Sequence, residues 1–267
     1  MQHIHLHAKA IKKHGQTGNE NMSRKRVYIS KFQHTALIDT LIRIVEKISL
    51  KEDVTEWGGY YAHTNYSDQS SGHKREIVEK FLRRCGAKFV WDFGANDGAY
   101  SRLALQNENA YVVAFDIDHN AVNRNYGIVK KSGEAMLPLL LDLTNPSPAI
   151  GFANQERAAI AGRRKPDCIL SLALVHHLAI SNNLPLPLLA EWYASLCEYL
   201  IIEFIPKEDS QVGKLLATRD DIFPSYDKSG FEAAFGAFFT VAAVERVKGS
   251  CRSIYLLEKK IERIEGF

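Results

Sequence analysis

The sequence has little that would anchor, staple or span. No apolar run reaches the ~18 residues that cross a bilayer, and the amino-terminal residues show no apolar core of the signal-peptide kind. The expectation is a cytoplasmic protein with no membrane partner. Four cysteines are scattered at Cys85, Cys168, Cys197 and Cys251, with no C-x-x-C pair. That spacing argues against a disulfide framework and a zinc site, and for free thiols in a reducing compartment. Excess charge of one sign is also scarce. The net charge is only +3, and the first 31 residues hold seven Lys or Arg against one Glu, so the remainder is acidic by three. A nucleic-acid surface needs clustered basic side chains, so nucleic acid is not the expected partner. The basic leader, residues 1–31, reads as a solvated tail. Its His3, His5 and His7 would share one face of an extended chain. With no second ligand cluster, no metal is expected. Internal repeats and low-complexity tracts are absent.

What is present is a glycine-bearing turn between two apolar segments. Residues 89–103 read FVWDFGANDGAYSRL: a buried strand, an acid at Asp92, a turn from Gly94 to Gly98, then the start of a helix. Such a turn brings backbone N–H groups and a positive helix end to one spot, where the polar end of a cofactor can sit. Gly94 and Gly98 let the backbone bend and approach a ligand, and Asn96 tolerates positive φ. The spacing D-x-G-x-N-x-G is not the G-x-G-x-x-G fingerprint of nicotinamide enzymes, and the turn lacks the G-K-[ST] ending of a phosphate loop. A second apolar run, AYVVAFD, ends at Asp116, 18 residues beyond Gly98, and a third, MLPLLLD, ends at Asp142. Successive strands ending in acids place carboxylates along one edge of a parallel sheet. Open α/β sheets bind ligands at that edge, and an acid ending the second strand is placed to take a ribose diol.

Together these residues resemble the class I S-adenosylmethionine-dependent methyltransferases. The resemblance is carried by Asp92-Phe93-Gly94-Ala95-Asn96-Asp97-Gly98, by Phe115-Asp116-Ile117 and by Leu141-Asp142-Leu143. It covers roughly residues 57–259. In the first motif Asn96 replaces the middle glycine of the commoner form. More narrowly, LLLDLTNPSPAIGF, LALVHHLAISNNLPL and IIEFIPKEDSQVGKLLATRDDIFPSYD are similar to methyltransferases described as nodulation proteins. There a HIHLHAK-like stretch lies between an upstream domain and the methyltransferase, which implies an upstream domain or partner chain here. The implied fold is α/β: a Rossmann-like three-layer sandwich with a seven-stranded, mostly parallel sheet and an antiparallel last strand. The implied cofactor is S-adenosyl-L-methionine.

By resemblance, Asp92, Gly94, Ala95, Asn96 and Gly98 would hold the methionine part of that cofactor. Asp116 would accept the ribose hydroxyls, with Asp118 as a possible substitute. Ile117 would pack on the adenine, and Asp142 with the Leu143 backbone would read its edge; an Asp before Thr-Asn-Pro also suits a turn.

Around this centre, helical periodicity over Leu37–Ile48 and Lys74–Cys85 predicts a helical amino-terminal cap, residues 32–85, before a methyltransferase domain at 86–260. Trp57, Tyr61 and Tyr66, in the aromatic segment between those helices, are candidates for contact with substrate or for surface packing. His176 and His177 follow the fourth strand, PDCILSLA. A histidine titrates near neutrality, so either could serve as general base; packing and helix capping are the plainer alternatives. Glu203, near the end of the fifth strand, is a further candidate base or substrate contact, or else a structural partner of Lys207 or a backbone N–H. The N-P-S-P string at 145–148 follows the third strand rather than the fourth, so it does not match the box of amino-group methyltransferases. The expected reaction is in-line methyl transfer to a small-molecule or sugar-like acceptor. The alternative is a non-catalytic binding or assembly protein that keeps the cofactor fold.

Overall fold

The computed structural model describes residues 29–49, 68–217 and 219–261. The chain divides into two compact units, Met1–Lys51 and Glu52–Phe267, so the boundary falls inside the stretch expected to form one helical cap. The first unit holds helix α1, Lys31–Glu46. A capping box starts it: the Gln33 N–H donates to Ser30 Oγ (3.2 Å) and the Ser30 N–H donates to Gln33 Oε1 (2.8 Å). These bonds satisfy two of the donors that a helix start leaves open.

The second unit opens with helix α2, Asp68–Cys85. Ile77, Val78, Phe81 and Leu82 form its buried stripe, each at most 2% exposed. Strand β1 is Phe89–Phe93, buried throughout. A single-turn helix α3, Ser101–Ala104, follows the glycine turn. Strand β2 (Tyr111–Asp116) runs into helix α4 (His119–Ser132). Asp118 caps that helix by accepting from the N–H groups of Asn120 and Ala121 at 2.8 and 3.1 Å. Strand β3 is Met136–Leu140, β4 is Cys168–Ser171 and β5 is Tyr199–Phe204. Between β4 and β5 lie a π-helical turn, His177–Ser181, and helix α5, Leu186–Leu196. Helices α6 (Ser210–Leu216) and α7 (Lys228–Gly236) lead to the closing strands β6 (Phe239–Arg246) and β7 (Ser253–Lys259).

The seven strands form one sheet in the order β3-β2-β1-β4-β5-β7-β6. Strands β1 to β5 pair in parallel, while β7 is antiparallel to both β5 and β6. The expected α/β architecture with an antiparallel last strand is the one observed. Strand alternation sends Phe89, Trp91 and Phe93 into one core with Tyr193 and Phe235. It sends Val90 to the other face, where Val112, Leu170 and Ile201 meet the α2 stripe. Both faces of the central strands are therefore covered, as a parallel sheet requires. Because the order reverses direction between β1 and β4, a crevice opens at their carboxyl ends.

Candidate active site

That crevice is a cavity whose walls are the turn after β1, the end of β2, the loop after β3 and the segment after β4. The turn is built by its own backbone. Gly94 and Ala95 both donate their N–H groups to the Phe115 carbonyl at 2.9 Å, which ties β1 to β2. Gly94 sits at φ 72°, Asn96 at 48° and Gly98 at 84°. For an ordinary residue the left-handed region costs about 1–2 kcal/mol. At Gly98 a side chain has no room either: a Cβ would lie 2.7 Å from the buried Asn125 amide and 2.8 Å from Arg102 Nη1. Gly98 does not line the cavity; it shapes the turn from behind. Asn96 accepts from the Asp97 N–H on its own side chain at 2.9 Å, a local bond that helps hold it there.

Asp116 closes the turn from the next strand. Its Oδ2 accepts from the Asn96 N–H (2.7 Å) and its Oδ1 from the Asp118 N–H (2.8 Å). A carboxylate has about four lone-pair sites, so two such bonds fix it and leave acceptor capacity facing the cavity. Burial raises its pKa above the ordinary carboxylate value, against the pull of those two N–H donors. Asp92 lies deeper, 2% exposed, and accepts from the Ser101 hydroxyl at 2.6 Å. Burial pushes it up to about 7. Asp118 is the α4 cap, 4% exposed, and is not in the cavity wall.

The wall brings together Asp92, Gly94, Ala95, Asn96, Asp116, Ile117, Asp142, Leu143 and His177 of the residues singled out from sequence. Ile117 presents an exposed apolar side chain there, 58% accessible. Strand β3 stops at Leu140, two residues short of Asp142. The Asp142 Oδ1 accepts from both the N–H and the hydroxyl of Thr144, at 2.8 and 2.7 Å, so the turn geometry and a place in the wall coexist.

The two histidines part company. Their ring centres lie 4.0 Å apart at a tilt of 43°, but only His177 lines the cavity. Burial lowers His177 to about 4, with the Arg252 charge adding to it. His176 is 2% exposed and held well below its ordinary value by burial first and by His177 next. Its Nδ1 is buried with no hydrogen-bond partner among the described residues. Both rings are thus neutral at pH 7. Glu203 is fully buried and absent from the wall. It takes the Lys74 ammonium at 2.7 Å and the Ala173 N–H at 2.8 Å; Lys207 pairs instead with Asp221. Trp57, Tyr61, Tyr66, His3, His5 and His7 lie outside the described residues.

Lys74 is the wall residue that sequence reasoning passed over. It is 3% exposed, and its ammonium lies 5.0 Å from the centre of the Tyr100 ring. Burial lowers its pKa, with the Glu203 carboxylate opposing. The signal was available: Lys74 stands three and four residues before Ile77 and Val78, on the apolar stripe of α2. Leu172, Ala173, Leu174, Leu178 and Asn182 line the side after β4 with His177.

The wall offers three carboxylates, one ammonium, a backbone cradle and apolar side chains. That set fits a ligand with a diol, a flat apolar ring and a zwitterionic tail, and S-adenosylmethionine has all three.

No family model matches the chain. Nodulation protein NoeA of Rhizobium meliloti (strain 1021) is 35% identical over 213 residues, 79% of this chain and 45% of that protein. The chain therefore spans less than half the length of this curated relative. Among solved structures, the N-methyltransferase NodS from Bradyrhizobium japonicum WM9 superposes with a TM-score of 0.54 at 8% identity, over 73% of this chain and 99% of that one. The PH0226 protein from Pyrococcus horikoshii OT3 gives 0.50 at 17%, over 78% and 100%. By sequence the chain is related to nodulation protein NoeA, and its fold is that of the class I S-adenosylmethionine-dependent methyltransferases.

Proposed function

We propose that the protein binds S-adenosyl-L-methionine and moves its methyl group to a small-molecule or sugar-like acceptor. The observation that carries this reading is the Asp116 carboxylate, fixed by the Asn96 and Asp118 N–H groups at the rim of the glycine turn. A diol receptor in that place is what the cofactor's ribose needs. In this reading Asp116 takes the ribose hydroxyls. Ile117 and Leu143 flank the adenine, with Asp142 at its edge. Gly94, Ala95 and Asn96 give the methionine part room, Gly98 keeps their turn in shape, and Asp92 and Lys74 lie beside its ammonium and carboxylate ends. The cofactor supplies an electrophilic methyl group when bound. The protein's own contribution is alignment of the acceptor, worth up to about 7–11 kcal/mol of barrier in well-oriented systems.

In this reading His177, which lines the cavity, meets the acceptor. At neutral pH its ring is unprotonated and can accept a proton, although a group held near 4 is a weak base. His176 stands behind it. Glu203, proposed from sequence as a base, reaches the cavity only through the groups it holds. The sugar-like acceptor rests on the relation to a nodulation protein. Trp57, Tyr61 and Tyr66 remain proposed substrate contacts, and an upstream domain or partner chain at the amino-terminal segment remains part of the proposal. So does a cytoplasmic setting, which the free state of all four cysteines supports. No described helix is long and apolar enough to cross a membrane. A second reading, a cofactor-binding or assembly protein without turnover, draws on the burial of His176 and the low pKa of His177.

Thermal-shift titration with S-adenosylmethionine, S-adenosylhomocysteine and NADH tests the cofactor. A ligand at 100 times its Kd adds about 2.7 kcal/mol, so the midpoint should rise by roughly 5–10 °C with the two adenosyl ligands and stay put with NADH. No shift with either adenosyl ligand overturns the reading. Replacing both histidines by asparagine separates the two roles. Lost turnover with retained S-adenosylhomocysteine affinity supports His177 at the acceptor, and unchanged turnover removes it.

A further inference from the structure

The segment that leaves β4 is strained. Ala173 sits at φ 51°, a left-handed conformation that non-glycine residues avoid. It lies two residues beyond the end of β4 and precedes Leu174, whose side chain lies 3.4 Å from the place where a Gly94 Cβ would be. The Leu174 carbonyl accepts from the His177 N–H at 2.9 Å. The direction of Ala173 therefore sets both Leu174, against the cofactor turn, and the start of the segment that carries His177. Strain of this kind persists only where the surroundings over-determine it.

Those surroundings converge on one carboxylate. Glu203 Oε2 accepts from the Ala173 N–H at 2.8 Å and from Lys74 Nζ at 2.7 Å. Its Oε1 faces Arg252 Nη1 at 3.9 Å. Arg252 is in turn clamped by Asp209, through Nε to Oδ2 at 2.7 Å and Nη2 to Oδ1 at 3.0 Å. Glu203, Lys74 and Arg252 are each at most 3% exposed. They come from β5, α2 and the residue before β7, and Asp209 is the α6 cap. A carboxylate held from several elements has one orientation, and that orientation presents an oxygen to Ala173.

We infer that Glu203 is a positioning residue: it latches Ala173 in the left-handed conformation and so sets the cavity wall after β4, against which cofactor and acceptor would lie. The wall's purpose rests on the methyltransferase reading; the latch itself does not. The alternative is that Glu203 serves only to neutralise Lys74.

Hydrogen–deuterium exchange with S-adenosylhomocysteine calorimetry tests the inference on Glu203→Ala, Glu203→Gln and Lys74→Met in the full chain. Glu203→Ala should speed exchange across residues 172–178 by about tenfold or more while β1 and β2 stay protected. It should also weaken S-adenosylhomocysteine by about tenfold. Glu203→Gln keeps an oxygen for the Ala173 N–H, so it should restore most of both. Lys74→Met should leave residues 172–178 protected. Unchanged exchange there in Glu203→Ala overturns the inference. Loosening by Lys74→Met equal to that by Glu203→Ala also overturns it, since the ion pair would then be the whole role. Should Glu203→Ala not fold, site-resolved exchange of the Ala173 amide in the wild-type protein decides: protection matching β4 supports the latch, and free exchange removes it. A wild-type protein that binds no S-adenosylhomocysteine defeats the cofactor reading, while the exchange comparison still decides the role of Glu203.

Discussion

At the scale of single residues, the turn after β1 depends on backbone shapes that few side chains allow. Gly98→Ala forces a Cβ to within 2.7 Å of the Asn125 amide while keeping φ near 84°. Asn125 cannot yield easily, because it is 1% exposed and accepts from Arg102 Nη2 at 3.0 Å. The substitution should destabilise the fold by about 1–3 kcal/mol, read as a lower urea midpoint at unchanged slope. Asp116 makes a different demand, since it joins the turn and the proposed diol site. Asp116→Ala should weaken S-adenosylhomocysteine by at least about tenfold, near 1.4 kcal/mol, in a calorimetric titration. An unchanged affinity would put the ribose elsewhere. The place of Asp116 in the cavity wall was legible, because an acid closing an apolar run falls at the sheet edge where open α/β sheets hold ligands. The partners of Glu203 were not legible, because Lys74 lies 129 residues away in sequence. No spacing rule reaches that far.

At the scale of elements, β1 carries a buried carboxyl whose titration opposes that of the segment after β4. Burial raises the Asp92 carboxyl from 3.8 to about 7, so the folded state keeps a proton that the unfolded chain has released. The stability from this group is fully present below about pH 4 and is lost as pH rises through about 7. His177 has the other sign. Burial lowers it from 6.5 to about 4, so its contribution is full above about pH 6.5 and is lost as pH falls through about 4. Asp92→Asn removes the first effect and keeps an oxygen for Ser101. Its stability should therefore climb with pH more steeply than that of the wild type between about pH 4 and 7, measured as urea midpoints at several pH values. Phe81, 0% exposed on the α2 stripe, tests how α2 is joined to the sheet. Phe81→Ala should cost about 3–5 kcal/mol, again by urea unfolding. The apolar stripe of α2 belongs to the sheet's own core, and α1 falls in the other compact unit.

At the scale of the whole molecule, charge sets the expectation for partners. The excess of basic residues lies in the first 31 residues, and the rest of the chain is acidic by three. Any affinity for RNA should therefore fall steeply with salt and vanish when residues 1–31 are removed. Filter binding at two salt concentrations would show this. Tight, salt-resistant RNA binding by the shortened chain would instead make a nucleic acid the acceptor.

The sequence by itself determined the strand-and-helix alternation, the turn after β1 and the acids at the strand ends. Each is written in neighbouring residues: an apolar run, a glycine pair at fixed offset, a carboxylate at a boundary. The tertiary structure alone decided which of those residues share a wall. It set His177 in the cavity and His176 behind it, because consecutive residues of a helical turn face different sides. It placed Lys74 beside Glu203 and bent Ala173 toward that carboxylate, because buried charges must find partners wherever the fold brings them.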